Sequence, residues 1–155
     1  MGDSGLSERR VAIASDHAGY ELKSVLVEEL KRLGCTALDL GTQAGDSVDY
    51  PDFADKLAAV LEAGEADAGV LVCGTGIGIA MAANRHPAVR AAVCHDATSA
   101  RLTRQHNDAN VLAMGQRLIG PETAKDCLKV FLETSFEGGR HQRRIDKLSR
   151  SPGRR

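Results

Sequence analysis

The sequence predicts an α/β protein with a three-layer α/β/α, Rossmann-like fold around a five-stranded parallel sheet. Short apolar, β-branched runs alternate five times with stretches whose apolar residues have helical spacing. Clusters of turn-forming residues separate these segments. The length of 155 residues, with 43% hydrophobic and 26% charged residues, is typical of one globular domain. Such alternation favours a parallel sheet with helices on both faces.

The first part of the chain predicts a strand, a helix and a second strand. Residues 10–15 (RVAIAS) form the first apolar run. Leucines and valines from Leu22 to Leu33 recur at helical spacing, and Gly34 ends that helix as a C′ glycine. Residues 36–40 (TALDL) predict the second strand, and the turn formers of residues 41–51 predict a loop.

The middle of the chain repeats this arrangement. Apolar residues from Phe53 to Leu61 lie on one side of a helix that we expect over residues 53–63. Residues 68–73 (AGVLVC) predict the third strand. After a glycine-rich turn, residues 77–84 predict a short apolar helix.

The last part predicts two further strand–helix units. Residues 89–94 (VRAAVC) and 110–115 (NVLAMG) predict strands, and Asp96 is placed to cap a helix over residues 97–106. Pro121 introduces a final helix to about residue 134. We expect one domain over residues 10–150, with flexible termini at 1–9 and 151–155 and a basic, polar tail from Gly138.

Composition and charge exclude several classes of partner. The net charge of −1 offers no general attraction to nucleic acid, and 3% aromatic residues without Trp provide no platform for stacking bases. No segment resembles a signal peptide or a membrane span, which predicts a cytoplasmic protein. The four cysteines form no C-x-x-C pair and the five histidines show no metal-binding spacing, so we expect free thiols and no metal site.

Polar residues follow the predicted strands at their carboxyl ends. They include Asp16 and His17 after the first strand, Cys73 to Thr75 after the third, and Arg117 after the fifth. Ligands of open parallel sheets bind at this edge, so we expect a site there.

The stretch VLVCGTGIG allows three interpretations of Cys73. Cysteine at the end of an apolar strand is often a small packing residue, which is the interpretation we adopt for Cys35, Cys94 and Cys127. A dinucleotide-binding turn needs Gly or Ala as the last residue of its fingerprint, but the two registers end at Ile79 and Met81.

The third interpretation is a reactive thiolate. Gly74, Gly76 and Gly78 allow several N–H groups to converge, and a helix begins at Ile77. These N–H groups and the positive end of the helix dipole would stabilise a thiolate at Cys73 or a developing oxyanion beside it.

Other candidate residues each have a structural alternative. Asp16 is suited to capping a helix as well as to binding a ligand. His106, with Asn107 beside it, is suited to stabilising a helix end or to proton transfer near neutral pH. Arg140 and Arg144 lie four residues apart and would share a helix face, as a phosphate anchor or as part of a solvated tail.

Five motifs together resemble the type B ribose-5-phosphate isomerase family, which includes galactose- and allose-6-phosphate isomerases. They occur in the family's order, as SDHAG, DYPD, CGTGIG, RQHNDANVL and EGGRHQRR, and the likeness covers roughly residues 10–150. The resemblance implies aldose–ketose isomerisation without metal or organic cofactor. It also implies a homodimer, or a dimer of dimers, whose subunits share the active sites.

The resemblance also implies roles for individual residues. Cys73 would be the base, and Gly74, Thr75, Gly76 and Gly78 would belong to the loop that holds the enediolate. Asp16 and Tyr50 would contact the sugar, and His106 would help open its ring with Asn107 nearby. The phosphate-binding positions would be His17, Arg117, Arg140 and Arg144. Two alternatives are an isomerase of hexose 6-phosphates and a non-catalytic nucleotide- or phosphate-binding module.

Overall fold

The computed structural model describes residues 5–43 and 45–150, and it confirms the predicted three-layer α/β/α fold. The five strands form one parallel sheet in the order β2-β1-β3-β5-β4. They are Arg10–Ser15 (β1), Thr36–Asp39 (β2), Ala68–Cys73 (β3), Ala91–Val93 (β4) and Val111–Gly115 (β5).

Helices cover both faces of the sheet. They are Tyr20–Arg32 (α1), Tyr50–Glu62 (α2), Ile77–Ala83 (α3), Ala97–Asn107 (α4), Pro121–Glu133 (α5) and Arg140–Leu148 (α6). A 3₁₀ turn, His17–Gly19, precedes α1. One apolar core lies between the sheet and α1, α4 and α5, and the other lies between the sheet and α2 and α3. Over the described residues, no helix combines the length and the hydropathy that crossing a membrane requires.

The three central strands are apolar along their whole length because helices bury both of their faces. Side chains alternate between the two cores with the period of a strand, so Val11 and Ile13 face one core and Ala12 and Ala14 face the other. This burial explains why the continuous apolar runs predicted β1, β3 and β5 correctly.

Two predicted boundaries were wrong. Helix α2 begins at Tyr50, inside the predicted loop, because Pro51 lacks an N–H and is well suited to the first turn of a helix. The strand predicted over residues 89–94 is paired only over Ala91–Val93. Asp96, by contrast, caps α4 as predicted, since its carboxylate accepts a hydrogen bond from the Ser99 amide at 2.6 Å.

The terminal segments also differ from the prediction. Leu6 lies in the expected loose arm but is only 2% exposed and belongs to a core cluster, and the Glu8 amide donates to the Gly34 carbonyl. Residues 1–4 and 151–155 lie outside the described residues. The basic tail forms α6, in which His141 and Ile145 are buried four residues apart.

Candidate active site

A cleft lies where β1 and β3 end side by side, at the point where the strand order reverses. From β1 the chain passes to β2 on one side of β1 and then returns to β3 on the other side of β1. Ligands of such sheets bind in the crevice that opens where the strand order reverses. The cleft has a volume of about 450 Å³. Eight sequence-predicted residues line it: Asp16, His17, Tyr50, Cys73, Gly74, Thr75, Gly78 and Arg117. We call this site the thiol cleft.

Cys73 ends β3 at the floor of the thiol cleft. The residue is 4% exposed, and its Sγ accepts a hydrogen bond from the Gly76 amide with an N–S distance of 3.1 Å. Gly76 has φ +77°, and a Cβ there would lie 2.7 Å from the Met114 carbonyl carbon. Only glycine fits this position without strain, so the loop directs an N–H group at the sulfur.

The other cysteines of the described chain are packing residues, as predicted. Cys35, Cys94 and Cys127 are buried in the core formed with α1 and α5. Burial raises the pKa of each of these thiols, to about 11 for Cys127. Cys73 differs from them because it lines a cleft and accepts a backbone hydrogen bond.

The remainder of the loop is held by close backbone contacts. The Thr75 hydroxyl accepts a hydrogen bond from the Ile77 amide at 3.2 Å. A side chain on Gly78 would collide with the Tyr50 ring, whose Cζ would lie 2.7 Å from the added Cβ. The Tyr50 phenol therefore packs over the first turn of α3 and forms one wall of the thiol cleft.

Asp16 and His17 also line the thiol cleft. One Asp16 carboxylate oxygen accepts a hydrogen bond from the Gly19 amide at 3.1 Å, so Asp16 caps the 3₁₀ turn while it also lines the cleft. The Val48 amide donates to His17 Nδ1 at 3.1 Å. Because Nδ1 is an acceptor, Nε2 carries the ring proton and is the donor available to a ligand.

Arg117 adds a guanidinium at the rim. Its amide donates to the Gly74 carbonyl at 3.0 Å, and its side chain lies 3.6 Å from where a Cβ on Gly74 would stand. An arginine fork and an imidazole N–H are suited to an anionic group such as a phosphate. The thiol cleft thus combines a cysteine sulfur that accepts from the Gly76 N–H with an arginine and a histidine that are suited to an anion.

His106, Asn107, Arg140 and Arg144 do not line the thiol cleft of the described chain. Helix α4 starts at the carboxyl edge of the sheet and ends at Asn107, just before β5 begins at the amino edge. Strand β5 rises by about 13 Å over the four residues from Val111 at the amino edge to Gly115 at the carboxyl edge. Cys73 and His106 of one chain therefore lie at opposite edges of the sheet.

These four residues have separate surroundings. The His106 ring stacks on His141 with centroids 4.6 Å apart and planes at 17°. Asn107 lines a second cavity of about 320 Å³ with Arg90 and Leu148. Arg140 and Arg144 are exposed on α6.

Two structural features were missed in the sequence. His141 is buried against His106, and only its spacing of four from Ile145 signalled a buried helix face. Lys23 is 1% exposed, and its Nζ lies 2.8 Å from both Asp39 carboxylate oxygens. Asp39 also accepts from the Gly41 amide, and Gly41 pairs with Ser15 beside the thiol cleft.

The ion pair alters the titration of Asp39. Burial acts to raise the pKa of the Asp39 carboxyl, but hydrogen bonds from Lys23 and the Gly41 amide outweigh it, so the pKa lies below its usual value. A charged Asp39 therefore stabilises the segment next to the thiol cleft.

Fold and cleft together define a doubly wound α/β protein with a cysteine and a glycine-rich loop at its switch point. The model of the family described as Ribose/Galactose Isomerase matches residues 11–148. The chain belongs to this family, as its motifs indicated, and it is an isomerase enzyme.

Relatives extend over nearly the whole chain. A ribose-5-phosphate isomerase B of Escherichia coli is 43% identical over 147 residues, which cover 95% of this chain and 99% of the relative. A putative sugar phosphate isomerase of Bacillus subtilis is 48% identical and covers 90% of this chain and 95% of its own length. The structure of ribose-5-phosphate isomerase B from Clostridium thermocellum superposes with a TM-score of 0.89 at 46% identity, covering 90% of this chain and 95% of that one.

Proposed function

We propose that the protein is a sugar-phosphate isomerase that interconverts ribose 5-phosphate and ribulose 5-phosphate. The observation that carries this proposal is the Cys73 sulfur, which faces the Gly76 amide in a cleft whose rim holds Arg117 and His17. Family membership and the names of the relatives support the same reaction.

In the proposed reaction, the Cys73 thiolate removes the proton from C2 of the open-chain aldose. The electron pair of the broken C–H bond forms the C1–C2 double bond of an enediolate, and negative charge moves onto the carbonyl oxygen. Returning the proton to C1 gives the ketose, while a hydroxyl proton passes from O2 to O1. The sugar is neither oxidised nor reduced overall.

The residues around Cys73 have separate parts in this proposal. The N–H groups of the loop from Gly74 to Gly78 and the Thr75 hydroxyl stabilise the enediolate oxygens, since donors fixed in place before the reaction need no reorganisation. Asp16 and Tyr50, which both line the cleft, hold the sugar hydroxyls.

The reaction also needs ring opening and a phosphate anchor. We assign ring opening to His106, with Asn107 beside it, and phosphate binding to His17, Arg117, Arg140 and Arg144. The phosphate does not react, so its binding energy is available to orient C1 and C2 against the base.

The opposite positions of the two residue groups require a second copy of the chain. In a twofold dimer, the amino edge of one subunit can face the carboxyl edge of the other, and the symmetry then produces two equal sites. Exposed apolar side chains beside the thiol cleft favour such a contact, because Ile77 is 52% and Met81 is 69% exposed on α3. We propose this dimer, or a tetramer built from two such dimers.

Substrate preference tests the proposal. Assays with ribose 5-phosphate, allose 6-phosphate and galactose 6-phosphate should give the highest kcat/KM for the pentose phosphate. A higher value for either hexose phosphate would assign the enzyme to hexose isomerisation. Nucleotide binding detected by thermal shift, without turnover of any sugar phosphate, would instead indicate a binding module.

A further inference from the structure

Three side chains that could bind a metal ion meet at the amino edge of the sheet. His106 lies in the last turn of α4, His141 in the first turn of α6 and Glu137 in the segment between α5 and α6. One ligand atom of each lies within 4.8 Å of those of the other two. The Glu137 amide donates to the Gln105 carbonyl at 3.1 Å, which fixes this segment against α4. We call these three residues the histidine cluster.

His141 has an unpartnered nitrogen in this cluster. Its side chain is 8% exposed, and Nε2 lies 3.5 Å from a Glu137 carboxylate oxygen without forming a hydrogen bond. Among the described residues, Nε2 has no hydrogen-bond partner. A buried polar atom left unpaired costs free energy, so it indicates a ligand that would satisfy it.

We propose that the histidine cluster binds a divalent transition-metal ion of the zinc class. Two imidazole nitrogens and one carboxylate oxygen are ligands that zinc prefers, and three protein ligands leave a fourth position open. This proposal revises the expectation from histidine spacing in the sequence, because α4 and α6 bring together residues 35 positions apart.

The cluster must contract slightly to bind the ion. Bonds of about 2.1 Å in a tetrahedral site place the ligand atoms roughly 3.4 Å apart, closer than the observed 4.8 Å limit. His106 and Glu137 are more exposed than His141, so their side chains are the ones free to turn toward its Nε2. The nearly parallel stacking of the two rings would be lost when the ion binds.

Cationic side chains of α6 oppose the metal ion. Arg140 and Arg144 are exposed on α6, where water and salt screen their fields. Glu137 contributes the negative charge that partly offsets them.

Inhibition of the enzyme follows if the proposed function is correct. A metal ion on His106 would occupy the nitrogen lone pair that ring opening needs. This consequence depends on the proposed role of His106, whereas metal binding itself does not.

Cobalt titration tests the site directly. Metal-free protein should take up one Co²⁺ per chain with the visible absorption of four-coordinate cobalt, and Glu137→Gln and His141→Gln should each lower the affinity by more than about tenfold. Cys73→Ser and Glu133→Gln are matched controls that should keep the spectrum and the affinity. Absence of the band in the wild type, or full affinity in either Glu137→Gln or His141→Gln, would overturn the proposal.

An activity measurement separates this proposal from the proposed function. Zn²⁺ should inhibit isomerisation by the wild type, and inhibition of Glu137→Gln, which should retain its basal turnover, should need a Zn²⁺ concentration more than about tenfold higher. If no sugar phosphate is isomerised, the proposed function fails while the cobalt spectrum still decides on the metal site. If isomerisation is normal and Co²⁺ does not bind, only the metal site is rejected.

Discussion

The thiol cleft and the histidine cluster lie at opposite edges of the same sheet and are organised in different ways. Backbone hydrogen bonds and close glycine contacts fix the thiol cleft, as the Gly76 amide on the Cys73 sulfur shows. Side-chain contacts define the histidine cluster, where a half-exposed His106 stacks on a buried His141. We therefore expect the loop at Cys73 to keep its conformation and the side chains of the cluster to rearrange when a ligand or a second subunit binds.

This difference explains the division of chemistry that we propose. Proton transfer and enediolate stabilisation need fixed donors, which the loop at the carboxyl edge supplies. In the proposal, ring opening by His106 and part of the phosphate binding come from the other edge, where long side chains such as Arg140 can adjust. In this proposal each region holds only part of the active site, and a dimer would join them.

Removal of the proposed base should have the largest effect. Cys73→Ala should lower kcat by roughly 10³–10⁴-fold, because a positioned base contributes at most about this much, while KM changes little. Steady-state kinetics with ribose 5-phosphate measure both values. Cys35→Ala is the matched control at a packing cysteine and should keep its activity. Near-normal turnover in Cys73→Ala would exclude this thiol as the base.

A substitution at Gly76 in the loop should have the next largest effect. Comparison with another glycine of positive φ separates a loss of catalysis from ordinary backbone strain. Gly76→Ala introduces a Cβ that would meet the Met114 carbonyl, so we expect a loss of about 100-fold in kcat and of about 2 kcal/mol in the free energy of unfolding.

The control for this prediction is Gly64→Ala. Gly64 also has positive φ, +71°, but open space around its Cβ position, so only a stability loss of about 1 kcal/mol should appear. Kinetics and urea unfolding of both variants provide the comparison. Equal catalytic losses in the two variants would show that the loop's contact with β5 is unimportant for catalysis.

Substitution of an arginine on α6 tests the edge of the histidine cluster separately from the thiol cleft. Arg140→Ala should raise KM by about 10- to 100-fold with a smaller change in kcat, because a charged hydrogen bond to phosphate contributes about 1.5–3 kcal/mol. Arg143→Ala on the same exposed helix is the matched control and should leave KM unchanged. If the two variants behave alike, α6 does not anchor the phosphate through Arg140.

Much of the fold and of the thiol cleft could be predicted from the sequence. The apolar runs of β1, β3 and β5 are continuous because both sheet faces are buried. The repeated glycines after Cys73 indicated a tight turn, and the structure has no room for a side chain at Gly76. The thiol cleft followed from these features, because parallel strands bring their carboxyl ends to one edge.

Helix α6 and the histidine cluster could not be predicted in the same way. Helix α6 carries only two buried side chains, His141 and Ile145, so its apolar pattern was too short to identify a packed helix. The separation of His106 from Cys73 depends on which edge the end of α4 reaches. Periodicity and residue spacing contain no information on contacts between two copies, and only the family resemblance implied sites shared between subunits.

The smallest predicted effect concerns the ion pair beside the thiol cleft. The pKa of Asp39 is lowered in the folded state, so its contribution to stability is complete above the unfolded value of about 3.9 and is lost as the pH falls through the folded value. Asp39→Asn should lower the free energy of unfolding by about 1 kcal/mol at neutral pH, and this difference should shrink in acid.

Denaturant unfolding at a series of pH values measures this difference. Asp126→Asn, a substitution at an exposed carboxylate on α5, is the control and should show a smaller difference. A stability difference for Asp39→Asn that stays constant from neutral to acidic pH would contradict a role for the charged Lys23–Asp39 pair.

Complementation between two inactive variants tests the central claim most directly. Cys73→Ala and His106→Ala chains should each be inactive alone. Co-refolded at equal amounts, they should recover about a quarter of wild-type activity, because half of the dimers are mixed and each mixed dimer has one intact site. No recovery, with mixed dimers shown to form, would contradict a site shared between two subunits.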